Sequence, residues 1–233
     1  MRIGLVQVGG RCDVMGIQRR RTLPFMLATS GGLESAAAGT VALGTGVTDG
    51  DLMIVWIESN TAQPGTISTG GWAQIGPTMD TGDSSLAVWW KIFATGDTAP
   101  TVADAGDHMV AYMVTFRGIN FPQNPFFSVK TDSVAATTTC TFPSAMIPHG
   151  GAGVFAIVGI GRDLNATDNY NDYATSSRCT LRRLSDRTSS IGLGGGAATF
   201  WGLCGLPGET GPMSVAANTA GSIAQNHITM VFR

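Results

Sequence analysis

Short apolar runs separated by Gly, Pro, Asp, Asn and Thr dominate the chain from residue 50 onward. Each run has the length of a β-strand and is rich in β-branched or aromatic residues, while the residues between the runs favour turns. The clearest runs are residues 51–58, 85–94, 108–117, 153–161, 198–206 and 227–233. Weaker candidates are residues 71–76, 126–134, 137–142, 180–184 and 213–217. The pattern predicts ten or eleven strands and no helix.

The composition agrees with an all-β chain. Among 233 residues there are 27 Thr but only 3 Glu and 2 Lys. Because Glu and Lys build most solvent-facing helices and Thr suits a pleated surface, a helical bundle is disfavoured. A hydrophobic share of 43% with a net charge of −2 also argues against disorder.

Several runs are apolar on both faces of the predicted strand. In residues 51–58, one face carries Leu52, Ile54 and Trp56 and the other carries Met53, Val55 and Ile57. Such a strand must be covered on both sides, by a second sheet and by an arm, a loop or a neighbouring subunit. The long connections favour a Greek-key layout over tight hairpins. We therefore predict a jelly-roll-like antiparallel β-sandwich over residues 48–233, preceded by an extended N-terminal arm at residues 1–47.

The four cysteines form no CxxC pair, and they are too sparse for a disulfide scaffold. They are Cys12, Cys140, Cys179 and Cys204, and we expect buried free thiols. The first ten residues do not resemble a signal peptide. The longest apolar runs span about eight residues, far short of the ~20 that a membrane helix needs. We therefore expect a soluble protein that is made in the cytoplasm and has no membrane partner.

Charge is distributed unevenly along the chain. Residues 1–33 have a net charge of +4, residues 34–163 have −7, and the remainder has +1. Arg19, Arg20 and Arg21 form the only basic run. A basic arm can bind nucleic acid or an acidic protein neighbour. The run is short and has no interleaved aromatic residues, so nucleic acid is disfavoured, while a contact with another subunit and an ordinary solvated patch both stay open.

Catalytic motifs are missing from the sequence. Lys91 and Lys130 are the only lysines, and neither lies in a GxxxxGK[ST] phosphate-binding loop. The nucleophile motif GxSxG does not occur. His108, His149 and His227 are isolated and share no metal-binding spacing. We predict a protein that is not an enzyme and has no cofactor.

One acidic loop, at residues 163–172, is a weak candidate for a cation site. Its possible ligands are Asp163, Asn165, Asp168 and Asp172. Hard cations prefer six to eight oxygen ligands, which such a segment could supply. The loop departs from the EF-hand pattern, however, and Asp and Asn also favour turns in their own right. Turn formation is the ordinary interpretation, and we predict no metal.

The order of the blocks resembles a known type of β-sandwich. GDLMI at residues 50–54 is followed by GW at 71–72, LAVWWKI at 86–92 and AYMVTFRGI at 111–119. Similar blocks follow one another at similar distances in structural proteins of tailed bacteriophages and prophage regions. The second half looks like the continuation of that pattern, with an apolar strand at residues 153–161 and a closing strand at 228–232. The resemblance covers about residues 48–233.

This resemblance implies a structural protein of the virion that is made in the host cytoplasm. Its most concrete form is a capsid decoration (cement) protein, a homo-oligomer with a trimer favoured, that binds the major capsid protein or other virion proteins. The alternative is a tail or fibre-associated module that binds a host surface glycan. A glycan-cleaving enzyme would need two carboxylates roughly 5–9.5 Å apart, which the sequence does not place. Candidate partner-binding residues are the aromatic anchors Trp56, Trp72, Trp89 and Trp201 and the charges of Arg19, Arg20 and Arg21.

Overall fold

The computed structural model describes residues 25–29, 32–35, 37–59, 65–82, 84–104, 109–119, 123–160, 170–189, 195–216 and 223–232. Within these ranges the chain forms nineteen strands and no helix. The strands, numbered in chain order, are β1 (Phe25–Thr29), β2 (Leu33–Ser35), β3 (Gly39–Thr40), β4 (Leu52–Ser59), β5 (Ala73–Gln74), β6 (Met79–Asp80), β7 (Ser85–Ile92), β8 (Thr101–Val102), β9 (Met109–Arg117), β10 (Phe126–Thr137), β11 (Thr139–Phe142), β12 (Met146–Ile147), β13 (Ala152–Ile160), β14 (Tyr173–Thr175), β15 (Thr180–Ser189), β16 (Gly195–Cys204), β17 (Gly208–Glu209), β18 (Met213–Ala216) and β19 (Ile223–Phe232).

The strands form two large antiparallel sheets. The first sheet has the order β1-β9-β4-β7-β5, and in addition β2 pairs with β9 and β6 with β7. The second sheet has the order β10-β19-β13-β16-β15-β14-β18-β11. Two small pairs, β3 with β8 and β12 with β17, lie outside them. The predicted all-β antiparallel sandwich is confirmed, and each of the eleven predicted runs overlaps a strand. The described residues form eight further short strands, so the expected ten or eleven strands are too few. The jelly-roll connectivity stays a prediction.

The first sheet lies between two apolar layers, as its two-faced strands predict. Leu52, Ile54 and Trp56 of β4 face the second sheet, whereas Met53, Val55 and Ile57 face away from it. The layer between the sheets also contains Val88, Val114, Phe116, Phe155, Ile157, Ile228, Met230 and Phe232.

The outer face of the first sheet is covered by the same chain. Val41 and Val102 are fully buried against this face, with Leu33 and Ile67 partly buried beside them. In the described part of residues 1–47, the segment assigned to the arm, β1 and β2 pair with β9. This segment therefore supplies two strands along one edge of the sheet, beside β9, and part of the cover of its outer face.

The second sheet curls into a nearly closed shape. Its two outermost strands, β10 and β11, are consecutive in the chain and are separated only by Thr138. The space inside the curl holds a second apolar core, to which β13 contributes Val154, Ala156 and Val158. The pairing of β10 with β19 is interrupted by register shifts between Phe126 and Ser128 and between Val134 and Thr137.

The expectation of free thiols is wrong for two cysteines. Cys179 and Cys204 form a disulfide with a Cα–Cα distance of 5.4 Å, while Cys140 is free and buried. Arg182 pairs with Trp201 across β15 and β16, and the same register continued outward places Cys179 opposite Cys204. The bond therefore follows from strand register, which a sequence spacing of 25 residues does not reveal.

Candidate interaction surface

Trp56 and Trp201 lie in the layer between the two sheets. Trp56 is 0% exposed, and its ring centroid lies 6.0 Å from that of Tyr112. Trp201 is partly buried, with ring centroids of Phe116 and Phe232 at 4.8 and 5.5 Å. Burial of large aromatic side chains in this way is a major stabilising contribution to a core. Both side chains hold the chain's own sheets together, and a partner-binding role for them stays a prediction.

Trp72 and Trp89 lie in the outer layer of the first sheet. The indole N–H of Trp89 donates a hydrogen bond to the Gly65 carbonyl at 3.2 Å. Beside it, Lys91 Nζ forms an ion pair with Asp97 Oδ1 at 2.6 Å. The face of β7 that carries Trp89 and Lys91 is thus packed against loops of the same chain.

Most of the predicted charged sites lie outside the described residues. Arg19, Arg20 and Arg21 belong to this group, as do Asp163, Asn165 and Asp168 of the acidic loop. Asp172 is described, and its exposed carboxylate accepts a hydrogen bond from Arg183 Nη2 at 2.8 Å. In the part of the chain that the structure describes, no group of three His, Cys, Asp or Glu residues could hold a metal ion.

A different set of apolar residues is exposed, and the sequence pattern does not distinguish them from core residues. Phe127 is 43% exposed, Met146 is 44% exposed and Leu206 is 60% exposed. Phe127 and Met146 line a groove of about 610 Å³, together with Ile147, Pro148, His149, Pro207 and Gly208. A neighbouring groove of about 490 Å³ is lined by Met146, Ser177, Arg178, Gly208, Glu209 and Gly211. We call the residues that line these two grooves the apical surface.

The small pair β12–β17 forms the centre of the apical surface. Met146 pairs with Glu209 and Ile147 with Gly208. Since successive strand residues point to opposite sides, Ile147 is buried while Met146 is exposed. The fully buried Thr210 fixes this pair: its N–H donates to the Ala145 carbonyl at 2.8 Å, and its Oγ1 accepts from Ala145 N–H at 3.1 Å.

A tight turn at residues 176–179 supports the same surface from the side. Ser176 Oγ accepts hydrogen bonds from the N–H groups of Arg178 and Cys179, at 3.2 and 3.0 Å, and donates to the Thr210 carbonyl at 2.5 Å. The disulfide from Cys179 to Cys204 joins this turn to the end of β16. These contacts hold the backbone under Arg178 in one conformation.

The turn that carries His149 packs closely against the end of β16. Gly151 N–H donates to the Pro148 carbonyl at 3.2 Å, which closes the turn. Gly151 has a φ of 79°, and a Cβ at this position would lie 2.8 Å from the Cys204 carbonyl oxygen. Only glycine fits both the backbone conformation and the space at position 151, so Gly151 allows the turn to lie this close to β16.

The apical surface carries one exposed cation and one exposed anion. Arg178 Nη1 donates to the Pro207 carbonyl at 3.0 Å, and Glu209 Oε2 accepts from Ser144 Oγ at 3.3 Å. Both side chains line the smaller groove, and within the described ranges neither forms an ion pair. Exposed apolar side chains next to a groove lined by polar groups are typical of a protein–protein contact.

A separate polar chain lies inside the sandwich, where it links the two sheets. Ser84 Oγ donates to Glu58 Oε1 at 3.0 Å, and Asn226 Nδ2 donates to the Ser84 carbonyl at 2.9 Å. Ser133 Oγ donates in turn to Asn226 Oδ1 at 2.7 Å. Glu58, Ser84 and Asn226 are fully buried, so these hydrogen bonds compensate for the loss of water. The arrangement ties β4 and the residue before β7 to β19 and β10.

Comparisons of the chain with models of protein families, with curated proteins and with solved structures gave no match. The part of the chain that the structure describes contains no membrane-spanning helix. The function is therefore inferred from the apical surface and from the sequence resemblance alone.

Proposed function

We propose that this chain is a structural protein of a bacteriophage particle, where it acts as a capsid decoration protein. The observation that carries the phage context is the succession of blocks at residues 50–54, 71–72, 86–92 and 111–119. Its proposed location is the virion, and its proposed partners are the major capsid protein or other virion proteins. The role is binding, without making or breaking covalent bonds.

The apical surface supports an assembly role. A decoration protein stabilises a shell by mass action, because it binds the assembled shell and not the free subunits. Such binding is strongest when the contact surface is already ordered, since less conformational entropy is then lost. The disulfide and the hydrogen bonds of Ser176 and Thr210 give the apical surface this order. In this proposal the apical surface makes a contact between subunits of the decoration layer, and the basic run Arg19–Arg21 makes the contact with an acidic neighbour in the shell.

The copy number of the chain in purified particles tests the proposal. Quantitative mass spectrometry of particles, from the phage or induced prophage that encodes the chain, gives its ratio to the major shell protein. A decoration protein is expected in hundreds of copies per particle. A handful of copies would place the chain in the tail and favour the glycan-binding alternative. Absence from the particle would overturn the structural role.

A further inference from the structure

Two side chains of opposite charge line the smaller groove of the apical surface. Arg178 and Glu209 both line the smaller groove, with the exposed side chain of Met146 between the two grooves. In the described part of the chain, each of these two charged groups is held by a neutral hydrogen-bond partner and not by an opposite charge. Within the described residues, a cation and an anion without charged partners thus line one groove beside Met146.

Two-fold symmetry satisfies both charges at once. In a two-fold contact, residue i of one copy meets residue j of the other, and j meets i. Arg178 can then face Glu209 of the second copy while Glu209 faces the second copy's Arg178. A partner surface of a single charge sign would attract one of these groups and repel the other. Charge complementarity therefore favours a second copy of this chain over a uniformly acidic or basic partner.

We propose that the apical surface is a two-fold contact between two copies of this chain. The axis passes through the smaller groove, where two reciprocal Arg178–Glu209 ion pairs form across it and the two copies of Met146 pack beside them. The inference rests on the proposed function only in treating the apical surface as an inter-subunit contact. It names the occupant of that contact, and it can be tested on the purified protein without any particle.

Reversing each charge, singly and in combination, tests this contact. The molar mass of the full chain is measured by light scattering and analytical ultracentrifugation at low salt. The wild type is expected at twice the chain mass of 24.2 kDa. Arg178→Glu and Glu209→Arg are each expected to weaken dimerisation about tenfold or more, because each variant faces like charges across the axis. An equimolar mixture of the two variants should recover the dimer, since every pair across the axis is again of opposite charge.

Arg182→Glu is the matched control. It makes the same change of charge at an exposed arginine of β15 that lines neither groove, so it should leave the dimer intact. Met146→Asp is a second disrupting variant that keeps Arg178 and its hydrogen bond to Pro207 in place. It should give a folded monomer, and circular dichroism verifies the fold of each variant.

Several outcomes would overturn the two-fold contact. One is a wild type that stays monomeric at concentrations on the order of 100 μM, where even weak dimers form. Another is an oligomer whose mass none of the three substitutions changes. A mixture of the two charge variants that does not recover association, or a trimer, would exclude this pairing. None of these results bears on the copy number in particles, so failure of this inference and failure of the proposed function are separate observations.

Discussion

His227 is a buried histidine of β19 that faces the core inside the curled second sheet. His227 is 1% exposed. Its Nε2 atom lies 2.9 Å from Gln225 Oε1, and the centroid of its ring lies 6.0 Å from the ring centroid of Phe142. Burial lowers the pKa of His227 to about 4, although the negative charge of Asp132 on the neighbouring strand raises it. The ring is therefore neutral in the folded protein at neutral pH.

Acid should destabilise the fold through this residue. The unfolded chain binds a proton at His227 near its ordinary pKa of 6.5, whereas the folded chain binds it only near 4. Its contribution to the free energy of unfolding is thus fully present above about pH 6.5 and is lost as the pH falls toward 4. The loss is on the order of 3 kcal/mol. Urea unfolding at a series of pH values measures it.

His227→Gln is the matched variant for that measurement, because it keeps a polar side chain but does not titrate. Its free energy of unfolding should change less between pH 7 and pH 4 than that of the wild type. Asp51 adds acid sensitivity to both proteins equally. Burial opposes its ionisation, but hydrogen bonds from Arg117 and Thr48 outweigh this effect and leave the pKa of Asp51 below its ordinary value. Equal pH dependence of the two proteins would show that His227 does not carry the effect.

At the scale of the elements, the disulfide joins the segment before β15 to the end of β16. Cys179 precedes β15, and Cys204 ends β16. The turn before β15 also carries Arg178, and the residues after β16 lead to β17. The covalent bond therefore fixes the backbone on both sides of the smaller groove.

Removing the disulfide should lower stability without changing the fold. The double variant Cys179→Ala/Cys204→Ala opens a loop of 25 residues, which costs about 3 kcal/mol through the greater entropy of the unfolded chain. Thermal unfolding of both proteins measures the difference. A reducing agent should lower the melting temperature of the wild type toward that of the variant and leave the variant unchanged. A wild type that is insensitive to complete reduction would contradict this account.

The long strands could be predicted because their side-chain pattern repeats several times. In β4 the alternation of two apolar faces correctly indicated a sheet covered on both sides. The pairs β3–β8 and β12–β17 have two residues per strand, too few to show any period. The sequence pattern therefore gives no indication of Met146. Residue type indicates Trp56 as an anchor, yet the pattern of its own strand places it in the core. The Cys179–Cys204 bond depends on a register that only strand pairing defines.

At the scale of the whole molecule, three apolar layers are built from one chain. One layer lies inside the curled second sheet, one between the sheets and one on the outer face of the first sheet. The outer layer is completed by residues such as Val41 and Val102, so the two-faced strands are covered within the described chain. In the proposed role, contacts with other subunits are assigned to the apical surface and to the basic run at residues 19–21.

Neutralising that basic run should weaken binding to the particle without affecting the fold. In the variant Arg19→Gln/Arg20→Gln/Arg21→Gln, three charges that complement an acidic neighbour are lost. Co-sedimentation with particles that lack the chain is expected to fall about tenfold at low salt. The variant Arg19→Lys/Arg20→Lys/Arg21→Lys keeps the charge and should bind nearly as well as the wild type. If the glutamine variant co-sediments like the wild type, the run has no role in particle binding.

The register shifts near both ends of β10 have a consequence for behaviour at high concentration. β10 is the twelve-residue outermost strand of its sheet, and such strands template the stacking of further chains into fibrils. Irregular pairing at both ends and the central charges of Lys130 and Asp132 make this edge a poor template. Crowded copies are therefore expected to remain free of amyloid-like aggregates, a property that the proposed decoration role would require.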